Sequence, residues 1–151
     1  MPDPRPVIVP IQVRWRDLDA LGHINNAVYL SYFEVARMAY LQVLLPQDAE
    51  LDPQTSLPRD FQFILADLQI TYRAPAQLND SLQASVHVSQ VGQKSFIFDF
   101  QIQETRSGRL IAEGRSTQVC YDYAARQSIP LPEELKARME ALQGAPISRK
   151  A

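Results

Sequence analysis

From Ala27 to Leu45 the chain carries polar side chains only at Ser31, Glu34, Arg37 and Gln42, and these fall close to one helical stripe. The other residues of the segment are Val, Tyr, Leu, Phe, Ala or Met. The spacing predicts a helix apolar around most of its circumference, and such a helix must be buried on several sides. Pro46 ends it, because proline lacks the next backbone donor and clashes with the preceding turn. Asn25 or Asn26 is expected to cap its start, a short side-chain oxygen accepting from the first free amides. The polar and charged residues inside the segment make it a poor membrane span. Some other part of the chain has to cover the helix.

Downstream the apolar period switches to two. Ile64, Ala66, Leu68, Ile70 and Tyr72 alternate with Leu65, Asp67, Gln69 and Thr71. Leu82, Ala84, Val86 and Val88 alternate with Gln83, Ser85, His87 and Ser89. Phe96, Phe98, Phe100 and Ile102 follow the same rule, and a fourth run extends from Arg109 to Tyr121. Breaks at Ala74–Asp80, Val91–Gln93 and Arg106–Gly108 make this an antiparallel meander with one buried face. Ahead of the helix, Ile11–Trp15 alternates as a strand. At the other end, Pro132 to about Leu142 reads as a short amphipathic helix with Pro132 at its first position. The fold class is α+β: a curved antiparallel sheet wrapped around one long central helix, with a short C-terminal helix, in a single domain over residues 1–151.

Composition removes several classes of partner. The net charge is −2, and the basic residues are 12 Arg and only 3 Lys, scattered along the chain. A nucleic-acid binder shows a basic stripe, so no nucleic-acid partner is expected. Two histidines and one cysteine argue against a structural zinc site, and no metal is expected. A lone Cys120 excludes an intrachain disulfide and fits a reducing compartment. With no apolar signal run after Met1, the expected location is the cytoplasm, without a membrane partner.

The acidic turn Asp17-Leu18-Asp19 is followed by His23 and Asn25-Asn26, directly before the apolar helix. A helix start offers unpaired N–H groups and the positive end of the macrodipole. Donors of that kind stabilise an oxyanion, and a nearby carboxylate can serve as general base or nucleophile. The turn suits attack on an acyl carbonyl; it equally suits a solvated loop whose Asp and Asn only cap and turn. Other residues carry less. Cys120 reads as a buried small hydrophobe, His87 as a solvent-facing or interface residue, and the Phe96-Phe98-Phe100 row as core. Ser81, Ser85 and Ser89 lack nucleophile-elbow glycines. Lys94, at a strand start beside a turn, is either solvated or a point charge for a phosphate.

The run Val13-Arg14-Trp15-Arg16-Asp17-Leu18-Asp19-Ala20-Leu21-Gly22-His23-Ile24-Asn25-Asn26-Ala27-Val28-Tyr29-Leu30 resembles the N-terminal motif of hot-dog-fold acyl-CoA thioesterases of the 4-hydroxybenzoyl-CoA thioesterase-like family. Tyr32-Phe33-Glu34-Val35-Ala36-Arg37 is similar to the family's helix, and the likeness runs from about residue 9 to 142. The resemblance implies hydrolysis of an acyl-CoA thioester, with no cofactor beyond the CoA moiety of the substrate. It implies that Asp19 is nucleophile or general base, and that His23 and Asn25 belong to the site. Lys94 and Ser95 match a position that contacts the CoA phosphates in one branch. Leu21 departs from the active-site Asn that plant acyl-ACP enzymes carry two residues before the His. The resemblance further implies a homodimer, often paired into a homotetramer, with the site at the dimer interface. Two other readings are an enoyl-CoA hydratase-like enzyme and a non-catalytic acyl-CoA-binding hot-dog domain. The hydratase's Asn-Pro between Asp and His is absent here, and Asp19 is present, which favours the hydrolase.

Overall fold

In the computed structural model, which describes residues 2–55, 57–59 and 61–150, the period-two segments are strands. β1 (Val7–Ile11) precedes α1 (Val28–Leu44); β2 (Phe63–Tyr72), β3 (Leu82–Val91), β4 (Ser95–Glu104) and β5 (Leu110–Asp122) follow. β6 (Gln127–Ser128), α2 (Glu133–Gln143) and β7 (Ser148–Arg149) complete the chain. The sheet runs β1-β3-β4-β5-β2, its neighbours antiparallel, with β6 beside β5 and β7 parallel to β3. The expected inward rows of β3 and β4, from Leu82 to Val88 and from Phe96 to Ile102, are buried.

The long helix lies across that face. Phe33 stacks on Phe100 with ring centroids 4.6 Å apart, and Tyr40 meets Phe98 edge-on at 5.2 Å. Each large apolar side chain removed from water contributes about 1.5–3 kcal/mol, so this contact layer dominates the favourable side of folding. Gly114 of β5 makes it possible: a Cβ there would stand 2.4 Å from the Gln69 carbonyl oxygen and 2.7 Å from Phe33 Cε2. The curved antiparallel sheet around a central helix is the hot-dog arrangement that the resemblance implies.

Five expectations need correction. The first strand is Val7–Ile11, not Ile11–Trp15, because β1 pairs with β3 only from Val7↔Val86 to Ile11↔Leu82, where β3 begins. Trp15–Asp17 instead makes a 3-10 turn closed by Arg14 and Asp17. Neither Asn25 nor Asn26 caps α1; Ala27 occupies that position, and Pro132 likewise stands just before α2 rather than inside it. Nor is α1 buried on several sides. Tyr29, Tyr32, Phe33, Ala36, Tyr40, Leu41 and Leu44 face the core, but Leu30, Val35, Met38 and Val43 remain between 37% and 58% exposed. β2 lacks a buried face over most of its length, because it is an edge strand paired only with β5 and bulged between Leu65 and Asp67. Among the described residues no helix is long and apolar enough to cross a membrane.

Candidate active site

The acidic loop is built from hydrogen bonds that begin at Asp17. This residue is 1% exposed. Its Oδ2 accepts from the Arg14 backbone N–H and from the Tyr32 hydroxyl, both at 2.9 Å. Its Oδ1 accepts from the Arg14 guanidinium at 2.9 and 3.2 Å. Burial alone would raise the carboxyl's pKa, but the bonds from Arg14 and Tyr32 outweigh it and hold the group below its ordinary value. One residue on, Leu18 forms an antiparallel bridge with Ile24, with the Asp19 N–H on the His23 carbonyl at 2.8 Å and the Asn25 N–H on the Asp17 carbonyl at 2.8 Å. Asp19 Oδ1 accepts from the amides of Leu21 at 2.9 Å and His23 at 3.2 Å. Gly22, at φ 77°, takes the left-handed turn that glycine adopts without strain. Asp17 therefore points into the protein and Asp19 out of it.

Asp19 faces a cleft of about 280 Å³ at the N-terminal end of α1. His23 and Asn26 line it from the loop, Tyr29 from the helix, and Tyr72 and Arg73 from the end of β2. The Tyr72 hydroxyl donates to the Asn26 carbonyl at 2.7 Å, and the Tyr29 and Tyr72 rings meet at 5.5 Å. Burial pushes the Tyr29 phenol up to about 12, so it stays protonated as a wall of the cleft. The Ile24 N–H donates to the Ala76 carbonyl at 2.8 Å, tying the loop to the segment after β2. Arg73 brings a cation to the rim, paired with Glu113 at 3.1 Å.

Of the expected site residues, the structure brings Asp19 and His23 into one cleft. Asn25 is a turn residue instead: its Oδ1 accepts from the Ala27 amide and its carbonyl from the Val28 amide, both at 2.9 Å. Two amides at the helix start are thus already occupied, and Asn26, not Asn25, lines the cleft. Lys94 and Ser95 stand at the start of β4, which pairs through Val119 of β5 with Ile64 of β2. That is the end of the sheet away from Tyr72, roughly 25 Å along the strands. The Lys94 ammonium donates to Ser128 Oγ at 3.3 Å. Cys120 is buried as expected, its thiol pushed up to about 11. His87 is half-buried across the strand from Asp99, and burial lowers its pKa more than Asp99 raises it. Tyr29, Tyr72, Arg73 and Asn26 were not legible as site residues. Tyr72 and Arg73 reach the loop only once β2 is laid beside β5.

A family model described as the Thioesterase-like superfamily matches residues 13–139. Long-chain acyl-CoA thioesterase FadM of Escherichia coli (strain K12) is 31% identical over 132 residues, which cover 87% of this chain and 96% of that protein. Acyl-CoA thioesterase YbgC of Haemophilus influenzae is 29% identical over 135 residues, 89% of this chain and 94% of the relative. Among solved structures, a thioesterase from Thermus thermophilus complexed with coenzyme A and Zn superposes with a TM-score of 0.80 at 32% identity, over 97% of this chain and 100% of that one. Among the described residues, no three His, Cys, Asp or Glu side chains converge as metal ligands. The matched span covers the acidic loop, the central helix and strands β2 to β6, and the chain belongs to the thioesterase-like superfamily.

Proposed function

We propose that this chain hydrolyses an acyl-CoA thioester to the free acid and CoA. One observation carries the reading: Asp19 opens onto a cleft at the start of a helix, with His23, Asn26 and Tyr29 around it. The positive end of α1 favours charge developing on the thioester oxygen. Asp19 either attacks the carbonyl carbon itself, expelling the CoA thiolate and leaving an acyl–Asp19 anhydride that water then hydrolyses to the acid, or takes a proton from an attacking water and passes it to the departing thiolate. The C–S bond breaks in both routes, and in the first the thiolate takes its proton from the hydrolytic water. His23 orients Asp19 through its backbone amide, and Asn25 shapes the helix start. Relatives similar along most of their length are named acyl-CoA thioesterases, which supports the same substrate class here.

The working unit is a homodimer. The exposed apolar row of α1 and the unpaired edge of β2, with Ile64, Leu65 and Tyr72 each more than 40% exposed, leave a surface that a second copy covers. Antiparallel pairing of two β2 edges sets the Tyr72 end of one copy beside the Phe63 end of the other. Lys94 and Ser95, distant from Asp19 in their own chain, then approach the second copy's cleft, where a CoA phosphate can meet them. The lone buried thiol suits a cytoplasmic setting.

A screen of CoA esters from acetyl to palmitoyl plus aromatic esters, reading free thiol, tests the reading. Asp19→Ala is expected to lower kcat by a factor on the order of a hundred with the fold intact. Thiol release by none of the esters, or full activity in Asp19→Ala, overturns it. Sedimentation as a stable monomer at micromolar concentration overturns the dimer.

A further inference from the structure

Asp17 sits two residues from Asp19 yet is sealed in the protein, and nothing in the hydrolysis just described uses it. Three separate pieces of structure end on this one residue. The segment that enters the loop from β1 reaches it through the backbone and guanidinium of Arg14. The outgoing limb of the loop reaches it through the Asn25 amide on its carbonyl. The central helix reaches it through the Tyr32 hydroxyl, more than one turn inside α1. Between those pins lies the short hairpin Leu18–Ile24 that presents Asp19, whose carboxylate hangs on the Leu21 and His23 amides. Tyr32 also packs edge-on against Tyr29 at 5.8 Å, and Tyr29 against Tyr72 at 5.5 Å, so the same side chain braces the opposite wall of the cleft.

We propose that Asp17 and Tyr32 are positioning residues: their buried hydrogen bond fixes the Asp19 hairpin against the start of α1 and sets the placement of the Asp19 carboxylate in the cleft. The proposal rests on the reading of Asp19 as the reacting carboxylate. Its physical basis is that a displacement of about 1 Å in a reacting group can cost up to about a hundredfold in rate. The hairpin packs through its ends, Leu18 and Ile24, but its exposed tip at Asp19, Leu21 and Gly22 has no packing of its own to prevent such a shift. Tyr32 is buried on the core face of α1, so its ring remains anchored when only the hydroxyl is removed.

The test uses Tyr32→Phe and Asp17→Asn in the full chain, each made alone and in the Asp19→Ala background. The two readouts are amide hydrogen exchange at Leu21 and His23 and steady-state hydrolysis of the best CoA ester. Tyr32→Phe is expected to speed exchange at both amides and to lower kcat about tenfold, with KM changed by less than about twofold. In the Asp19→Ala background the same change should have no further effect on the residual rate, since the group it positions is gone. An equal loss in both backgrounds, or a loss that falls on KM, shows a general structural role and overturns the proposal. Unchanged exchange at Leu21 and His23 in Tyr32→Phe also overturns it, whatever the rates do. Should Asp17→Asn fail to fold, Tyr32→Phe decides alone. Absence of thiol release by the unaltered protein overturns the hydrolase reading instead, because exchange at the two amides still reports whether Tyr32 holds the hairpin.

Discussion

Gln143 replaces a piece of missing strand. On the free side of β3, β1 covers Leu82 to Val86 and β7 covers Gln90 and Val91, which leaves Val88 without a strand partner. The side-chain amide of Gln143, wholly buried at the last residue of α2, fills that gap. Its Oε1 accepts from the Val88 N–H at 2.7 Å and from the Tyr40 hydroxyl at 2.6 Å, and its Nε2 donates to the Val88 carbonyl at 3.0 Å. Gln143→Leu keeps much of the volume and orphans three buried polar groups. At about 1–3 kcal/mol for each, less about 1–2 kcal/mol recovered from the apolar side chain, the loss falls between about 1 and 8 kcal/mol, with a central expectation of about 4 kcal/mol. A domain of this size commonly holds about 5–15 kcal/mol in total, so the change removes a large share of it. Urea unfolding should show the midpoint falling with the slope unchanged, and Tm should drop by roughly 10 °C. Tyr40→Phe, which removes one bond and leaves Oε1 on Val88, should cost only about 1 kcal/mol. The clamp lies toward the far end of α1 from Asp19, so kcat per folded molecule should not change. Gln143→Leu within about 1 kcal/mol of the unaltered protein would refute the reasoning, since it would mean that water satisfies Val88 at no cost.

Gly114→Ala should destabilise by about 1–3 kcal/mol, because the new methyl meets the Gln69 carbonyl and the Phe33 ring inside contact distance; thermal melts check it. Cys120 should resist a maleimide in the native protein and react in urea, since the thiol is buried and its pKa is raised to about 11. The depressed pKa of Asp17 stabilises the fold above its unfolded value, near 3.9, and that contribution is lost as pH falls through the folded value. The stability gap between the unaltered protein and Asp17→Asn should therefore be full at neutral pH and close below about pH 4 in urea titrations.

The strands β3 and β4 were legible because a sheet with one solvated face forces alternation, and Leu82–Val88 and Phe96–Ile102 obey it. β2 alternates as cleanly in sequence, yet Ile64 and Leu65 are both exposed in the single chain. Its pattern therefore does not reflect burial within this chain. The same holds for α1, whose apolar residues exceed what its own sheet can cover. Reading that excess as burial on several sides fails within the chain, where Leu30, Val35, Met38 and Val43 stay open to solvent. The misplaced first strand has a local cause: Arg14-Trp15 alternates like β structure, but β3 has no residue left to pair with it, and the Arg14–Asp17 clamp takes the backbone into a turn.

The two aspartates show where sequence reading stops. Asp17 and Asp19 are identical in type and two residues apart, and only the folded loop turns one inward and the other out. Which side is the protein depends on Tyr32, whose hydroxyl arrives from a helix that begins more than ten residues later. Burial against Tyr32 and Arg14 gives Asp17 four short donor contacts and leaves it no freedom to approach a substrate. Asp19 is held by two exposed backbone amides, and among the described residues no hydrogen bond occupies its Oδ2. A carboxylate needs a free oxygen and a path to solvent to attack a carbonyl or activate water. In the proposed hydrolysis, the division of labour within Asp17-Leu18-Asp19 follows from that difference in hydrogen bonding: Asp17 has both oxygens engaged, and Asp19 keeps one for the reacting thioester.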